Sequence, residues 1–436
     1  MNQAGAETAQ ARDTGLPQGG FPSRARWTIC ALLFAATTIN YMDRQVIGLL
    51  KPTLAHSLGL TEIHYGYVVA AFQVAYAAGL MVAGRLVDRL GTRVGYVLFM
   101  GVWSLASMAH ALARSALGLG IARFFLGLGE AGNFPAAVKT VANWFPESER
   151  SLATGIFNSG ANVGAILAPA VIPWITLHFG WRAAFVSTGL FGLPWMAWWF
   201  KNYPAPSEPL RTTEAGLDDL YSEACGPVER EIPWLTLLTY RQTWAFSIAK
   251  FLTDPIWWFY LFWLPSFFDS RFHLGLSHLG LPLIVVYNLS AIGSIGGGWL
   301  PALFRRGPVD AAQARLSAML VCAVLVLPIC TVGSVNSKWA AIGLLGLAAA
   351  SHQGWSANLF TVASDMFPRN TVGAVVGVGG MAGAVGGLLF SLSAGKILEV
   401  TRSYTPLFGI SAGTYLLSIV ILRVLAPGLK KVDFTT

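Results

Sequence analysis

Between two long apolar runs the chain reads Gly84-Arg85-Leu86-Val87-Asp88-Arg89-Leu90-Gly91-Thr92-Arg93. Two glycines enclose one acid, and three arginines surround it. Such a polar stretch joins helices that lie in a medium without water. The runs beside it, 65–87 and 94–113, have the ~20 apolar residues that cross a bilayer core. Followed towards both ends, the same pattern predicts spans at 27–49, 117–143, 151–173, 181–201, 244–268, 279–301, 314–334, 339–365, 371–393 and 404–425.

Composition agrees with twelve spans. Of 436 residues 54% are hydrophobic and 11% charged, whereas soluble domains carry roughly 25% charge. A solvated surface around such a core is not available, which excludes a soluble enzyme. The net charge of +8 does not point to nucleic acid, because the basic residues lie between apolar stretches and form no stripe. Cys30, Cys225, Cys322 and Cys330 lack the C-x-x-C spacing of a metal or redox site and read as small apolar fillers. No metal or cofactor is expected.

Basic residues are retained on the cytoplasmic side of a membrane. Of the 29 Lys and Arg, 18 fall in the terminal segments and alternate connections, and seven in the others: Lys51, Arg114, Arg182, Arg271, Lys338, Lys396 and Arg402. This bias predicts a multi-pass protein with both termini cytoplasmic. Residues 1–26 lack the apolar core of a signal peptide and read as a disordered cytoplasmic tail. Residues 202–243 hold seven of the 21 acids and read as a cytoplasmic linker between six-helix bundles at 27–201 and 244–426, with a second tail at 427–436.

The halves repeat one another. At an offset of 222, Gly132, Phe145-Pro146, Gly155 and Gly164 match Gly354, Phe367-Pro368, Gly377 and Gly386; at 214, Gly79, Gly84 and Leu86 match Gly293, Gly298 and Leu300. Parallel repeats of this kind place a site between them near the bilayer midplane. The fold expected is an all-α membrane protein of 12 transmembrane helices in two pseudo-symmetric six-helix bundles.

An ionisable side chain costs at least ~2.5 kcal/mol at the bilayer centre unless it faces a cavity or a partner. Asp43, Arg44, Arg123, Glu130 and Lys250 all fall inside predicted spans. Asp43 with Arg123, or Arg44 with Glu130, could pair across the first and fourth helices. Acids beside arginines suit reversible protonation, and the planar fork of Arg44 suits a substrate carboxylate. Lys250 could serve that carboxylate from the opposite half or pair with Asp254 at i, i+4. Pro255 is expected to break the seventh helix locally. The run Ser351 to Asn358, with His352, Gln353, Ser356 and Asn358, needs an aqueous neighbour. With Tyr41, Gln73, Tyr76, Asn158 and Asn162, and with Trp257 and Trp258 as stacking faces, it would form a cavity of hydroxyl partners and aromatic faces.

The Gly84–Arg93 stretch resembles the loop motif of the major facilitator superfamily. The resemblance implies that Gly84, Asp88, Arg89, Gly91 and Arg93 form a gating motif whose acid latches against helix ends and loop arginines, favouring an outward-open state. The second half carries Ala302 in place of the acid, so its gate is not equivalent. Asn40-Tyr41-Met42-Asp43-Arg44, Gly129-Glu130-Ala131-Gly132-Asn133-Phe134-Pro135, Asn143-Trp144-Phe145-Pro146-Glu147 and His352-Gln353-Gly354-Trp355-Ser356-Ala357-Asn358 resemble the anion:cation symporter branch, and within it bacterial hexuronate transporters. The likeness covers about residues 27–426. It implies that Asp43 and Glu130 carry protons, Arg123 tunes them, Arg44 contacts the substrate carboxylate and Tyr76 lines the cavity.

The expected activity is import of a sugar acid such as glucuronate or galacturonate with protons, by alternating access, in a bacterial inner membrane. The proton gradient replaces any cofactor. The partners expected are a small organic anion, protons and the lipid bilayer, with no nucleic acid, for a monomer. Other acids (galactonate, glucarate, tartrate or an aromatic acid) are the first alternative. An exporter of hydrophobic amphiphiles fits less well, since its cavity would lack paired arginines, and a receptor without transport would need a folded signalling domain.

Overall fold

The computed structural model describes residues 23–145, 147–203, 234–305 and 311–432. Residues 1–22 of the expected tail, 204–233 of the expected linker, the 306–307 end of the second-half loop and residues 433–436 lie outside them. Among the described residues there are twelve helical passes and no strand. The first span is Ser23–Leu49, and one helix, Glu62–Ala109, supplies the second and third. The fourth is Ala116–Glu130 continued by Asn133–Trp144, the fifth Glu147–Phe179, and the sixth Trp181–Leu190 continued by Gly192–Asn202. The seventh and eighth are Arg241–Phe272 and Gly280–Phe304; the ninth is Ala311–Val326, extended by the 3-10 segment Leu327–Ser334. Lys338–Met366, Arg369–Thr401 and Thr405–Leu425 complete the set.

Seven spans are long and apolar enough to cross a membrane by composition alone. The fourth and sixth are divided into shorter helices, and the first, seventh and tenth carry Asp43, Arg44, Lys250, Asp254 and the polar run near His352. Three of the spans that depart most from apolar composition are thus those that bear the candidate site.

Two expectations change, and one element is added. The Gly84–Arg93 connection is not an open loop: the helix continues on both sides and the chain turns at Gly91 alone (φ 73°, ψ 158°), a conformation open to glycine because it lacks Cβ. The seventh span is not broken at Pro255, since Arg241–Phe272 stays helical with Pro255 and Pro265 inside. Gly386 brings the eleventh span against Phe251 and Pro255, and such packing holds a proline-containing turn in line. A short helix, Lys51–Leu58, follows the first span, started by Pro52 in its first turn and ended at Gly59 (φ 64°).

Glycine contacts verify both sequence offsets. Gly79 packs against Leu128 and Ala131, and its mate Gly293 against Ala350, the counterpart of Leu128. Gly66 meets Ser391 and Gly395, while Gly280 meets Pro169, the counterpart of Ser391. The second span therefore touches the eleventh, and the eighth the fifth, through equivalent close approaches. These lie at the end remote from the chain termini. There Gly48 also touches Leu261 and Phe262, Tyr65 Oη donates to the Phe262 carbonyl at 2.8 Å, and the Glu62 N–H donates to Glu399 Oε2 at 2.9 Å. At the end bearing the termini, Gly84, Gly155, Gly298, Gly373 and Gly377 have nothing within 4 Å of where a Cβ would stand. The halves are sealed at one end and apart at the other.

Candidate functional site

Arg44 lies near the sealed end of the first span, buried, with Glu130 of the fourth span reaching it. Its Nε and Nη2 each lie 2.8 Å from Glu130 Oε2, and Nη2 also donates to Asn40 Oδ1 at 3.2 Å. Nη1 has no hydrogen-bond partner among the described residues. Four rings cage the guanidinium: Tyr41 at 4.8 Å, Tyr76 at 4.9 Å, Trp258 at 5.1 Å and Phe72 at 5.3 Å. Each such contact contributes ~0.5–2 kcal/mol. Trp258 belongs to the other half, so the cage closes only while the halves meet here. A planar cation held by one carboxylate, with a free nitrogen among aromatic faces, has the chemistry to pair with a second carboxylate.

Of the two cross-helix pairs expected, Arg44–Glu130 forms and Asp43–Arg123 does not. Asp43 Oδ1 accepts from Ser107 Oγ at 2.7 Å, and its buried Oδ2 has no partner. Ser107 also contacts Thr188 Oγ1 at 3.2 Å, so the third and sixth spans position this acid. Arg123 is fully buried and donates from Nη2 to the Arg44 carbonyl at 2.9 Å; its Nε and Nη1 are unpartnered, and Phe72 lies 4.6 Å from its charge. It braces the backbone of Arg44 and stays within electrostatic reach of Glu130 and Asp43.

The second half contributes a separate group. Lys250 Nζ lies 2.7 Å from Asp254 Oδ2 and 4.3 Å from the Phe360 ring centre, so its i, i+4 pair is the alternative that forms. His352 Nδ1 shares a 2.7 Å hydrogen bond with Tyr415 Oη, and its ring stacks on Trp257 at 5.5 Å. Asn358 does not face the cavity with its amide, which donates to the Gly297 and Gly354 carbonyls. Gln73 accepts from Ser391 Oγ at 3.0 Å, which makes it part of the seam between halves. Asn158 is exposed, and Asn162, Gln353 and Ser356 are half-buried, all without hydrogen-bond partners among the described residues.

Around the Gly91 turn, Arg93 reaches the Phe200 carbonyl at 3.3 Å, Trp199 Nε1 donates to the Arg93 carbonyl at 3.1 Å, and Thr92 bonds Tyr203. These contacts tie the motif to its own half. Arg89 is exposed, Gly84 is half-buried, and the Asp88 side chain lies outside the described residues.

Trp258, expected with Trp257 as a stacking face, is a wall of the Arg44 cage, whereas sequence reasoning missed Phe72 in that cage, Ser107 and Thr188 as supports of Asp43, and Tyr415 behind His352. Lys250, Asp254 and Trp258 recur every four residues on one helix face. A groove of about 690 Å³ between the second and fourth spans, walled by Tyr67, Leu117, Ile121 and Phe125, contains none of the charged residues.

The Major Facilitator Superfamily profile matches residues 33–391. The hexuronate transporter of Escherichia coli K12 is 32% identical over 402 residues, covering 91% of this chain and 93% of the relative. The galacturonate transporter of Dickeya chrysanthemi is 32% identical over 330 residues, covering 74% and 95%. Among solved structures, a D-xylose-proton symporter superposes with a TM-score of 0.73 at 15% identity, covering 93% of this chain and 99% of that one.

Proposed function

Because the chain belongs to the major facilitator superfamily, a family of membrane transporters and not of enzymes, we propose that it imports a hexuronate, glucuronate or galacturonate, together with protons by alternating access. The observation that carries this reading is the Arg44 guanidinium, caged by four rings with Nη1 unused beside a buried acid. An incoming carboxylate competes with Glu130 for that guanidinium. Removing one partner of a buried pair costs ~3–5 kcal/mol, so Glu130 must be neutralised as the substrate takes its place, and a proton does this without adding net charge. Asp43, with one oxygen bonded to Ser107 and the other unpartnered, is the second proton carrier, and Arg123 couples the two acids. Tyr76 and Tyr41 face the sugar ring; Asn158, Asn162, Gln353 and Ser356 offer free hydrogen bonds to its hydroxyls.

The 18-to-7 distribution of basic residues supports a bacterial cytoplasmic membrane with both termini inside, which makes the open end cytoplasmic and the described state inward-open. Uptake of labelled glucuronate into proteoliposomes, with and without an inward proton gradient, tests the reading. Gradient-driven accumulation blocked by galacturonate is expected. Absence of uptake, with competition only by galactonate or tartrate, would move the substrate to another organic anion. Asp43→Asn and Glu130→Gln are expected to abolish proton-driven accumulation, at least ~100-fold, while retaining counterflow exchange. Accumulation at the wild-type level in either variant rejects that residue as a proton carrier.

A further inference from the structure

The two ion pairs of the cavity are turned in opposite senses. In the first half the acid is the drier partner, with Glu130 0% exposed against 5% for Arg44. In the second half the base is drier, with Lys250 7% exposed against 20% for Asp254. The more accessible group is thus the guanidinium in one half and the carboxylate in the other.

Asp254 is held from two sides. Lys250 pins it at 2.7 Å and is itself lodged over Phe360. A Cβ at Gly383 would coincide with the carboxylate, so the eleventh span leaves it room only because residue 383 is glycine. Pseudo-symmetry gives its position meaning. Gly164 meets Thr38, Tyr41 and Met42, whereas Gly386 meets Phe251 and Pro255. Asp254 therefore holds in the seventh span the place Tyr41 holds in the first. Trp258, one helical turn after Asp254, stands 5.1 Å from the Arg44 guanidinium, so guanidinium and carboxylate lie on neighbouring turns of one wall. Tyr415 also lies within electrostatic reach of Asp254, and His352 of Lys250.

We propose that Asp254 is a specificity-determining residue, accepting hydrogen bonds from the hydroxyls at the uncharged end of a sugar acid bound by Arg44, and excluding a second carboxylate from that end. An ionised carboxylate only accepts, and its bonds from hydroxyls are short and charge-assisted. A substrate with acids at both ends would set acceptor against acceptor and like charge against like charge, with Lys250 already engaged. The carrier accordingly takes acids with one carboxylate, hexuronates or aldonates, and rejects aldarates. This rests on the reading of the cavity as a sugar-acid site and adds the end-group selection to it.

The test is competition in proteoliposomes. Labelled glucuronate and labelled galactonate are each challenged by galacturonate and by galactarate, for wild type, Asp254→Asn and Asp254→Glu, with monodispersity in detergent as the fold control. For wild type, galactarate is expected to compete at least about tenfold more weakly than galacturonate, a difference of ~1.4 kcal/mol. Asp254→Asn, which offers an amide donor, should narrow that ratio about tenfold, and Asp254→Glu should keep it. A folded Asp254→Asn protein with an unchanged ratio, or a wild type inhibited equally by both competitors, overturns the proposal. A wild type that takes up galactonate and not glucuronate overturns the hexuronate reading alone, because the exclusion of galactarate is then read on galactonate.

Discussion

At the end remote from the termini, Gly48, Gly66, Gly280 and Gly395 stand against the opposite half, whereas Gly84, Gly155, Gly298 and Gly377 at the other end face empty space. A glycine inside a helix costs ~1 kcal/mol relative to alanine. The cost is offset at the sealed end by close approach of backbones, and nothing in this state offsets it at the open end. The second, eighth and eleventh spans supply glycines to both sets, with Gly48 of the first span added at the sealed end and Gly155 of the fifth at the open end. Under the proposed alternating access, the unused glycines would serve a second state in which Gly84 approaches the region of Gly377, and Gly298 that of Gly155, as the first end parts. Three helices thus carry glycines at both ends.

The largest effect is expected from Gly66→Leu. A Cβ there already lies 2.9 Å from the Ser391 carbonyl oxygen, and backbone cannot yield to a branched side chain, so this end cannot seal. Uptake should fall at least ~100-fold, and alkylation of a reporter cysteine at exposed Asn158 should slow as the open end closes. Unchanged alkylation would break the comparison. Gly377→Leu should leave the described state intact, because the site is empty, yet obstruct closure of the open end. Transport is expected to drop about tenfold while substrate binding, read by calorimetry, stays within about twofold. Loss of binding and transport together would show that Gly377 already supports the inward-open state. The smallest effect is expected from Glu399→Gln, which removes a charged acceptor from the helix start at Glu62. Such contacts contribute ~0.3–1 kcal/mol, so the sealed population should fall by a few-fold, measured by the same alkylation rate.

How much of this was legible in the sequence differs by residue. The buried charges were, because an ion in an apolar run needs a reason, and Arg44, Arg123, Glu130 and Lys250 each have one. The repeats were in part, since Gly79 and Gly293, and Gly164 and Gly386, make equivalent contacts, whereas Gly132 meets Phe99 and its mate Gly354 meets Gly297. The facing of polar side chains was not. In a membrane both lipid and protein interior are apolar, so periodicity does not tell a cavity-facing Asn from one that bonds a neighbouring backbone. Asn358 turns to the Gly297 carbonyl and Gln73 to Ser391 for that reason. The supports of Asp43 come from Ser107 and Thr188 on distant spans, and single hydroxyls in apolar helices carry no sequence signal. The continuity of the seventh span through Pro255 depends on Gly386, more than a hundred residues away.

The cage around Arg44 draws three rings from one half and Trp258 from the other. An indole beside a guanidinium at a moving seam is an optical probe built into the carrier. With 16 tryptophans in the chain, total emission would bury its signal. The difference between wild type and Trp258→Phe would isolate it, so each swing of the halves becomes a spectral event that needs no label.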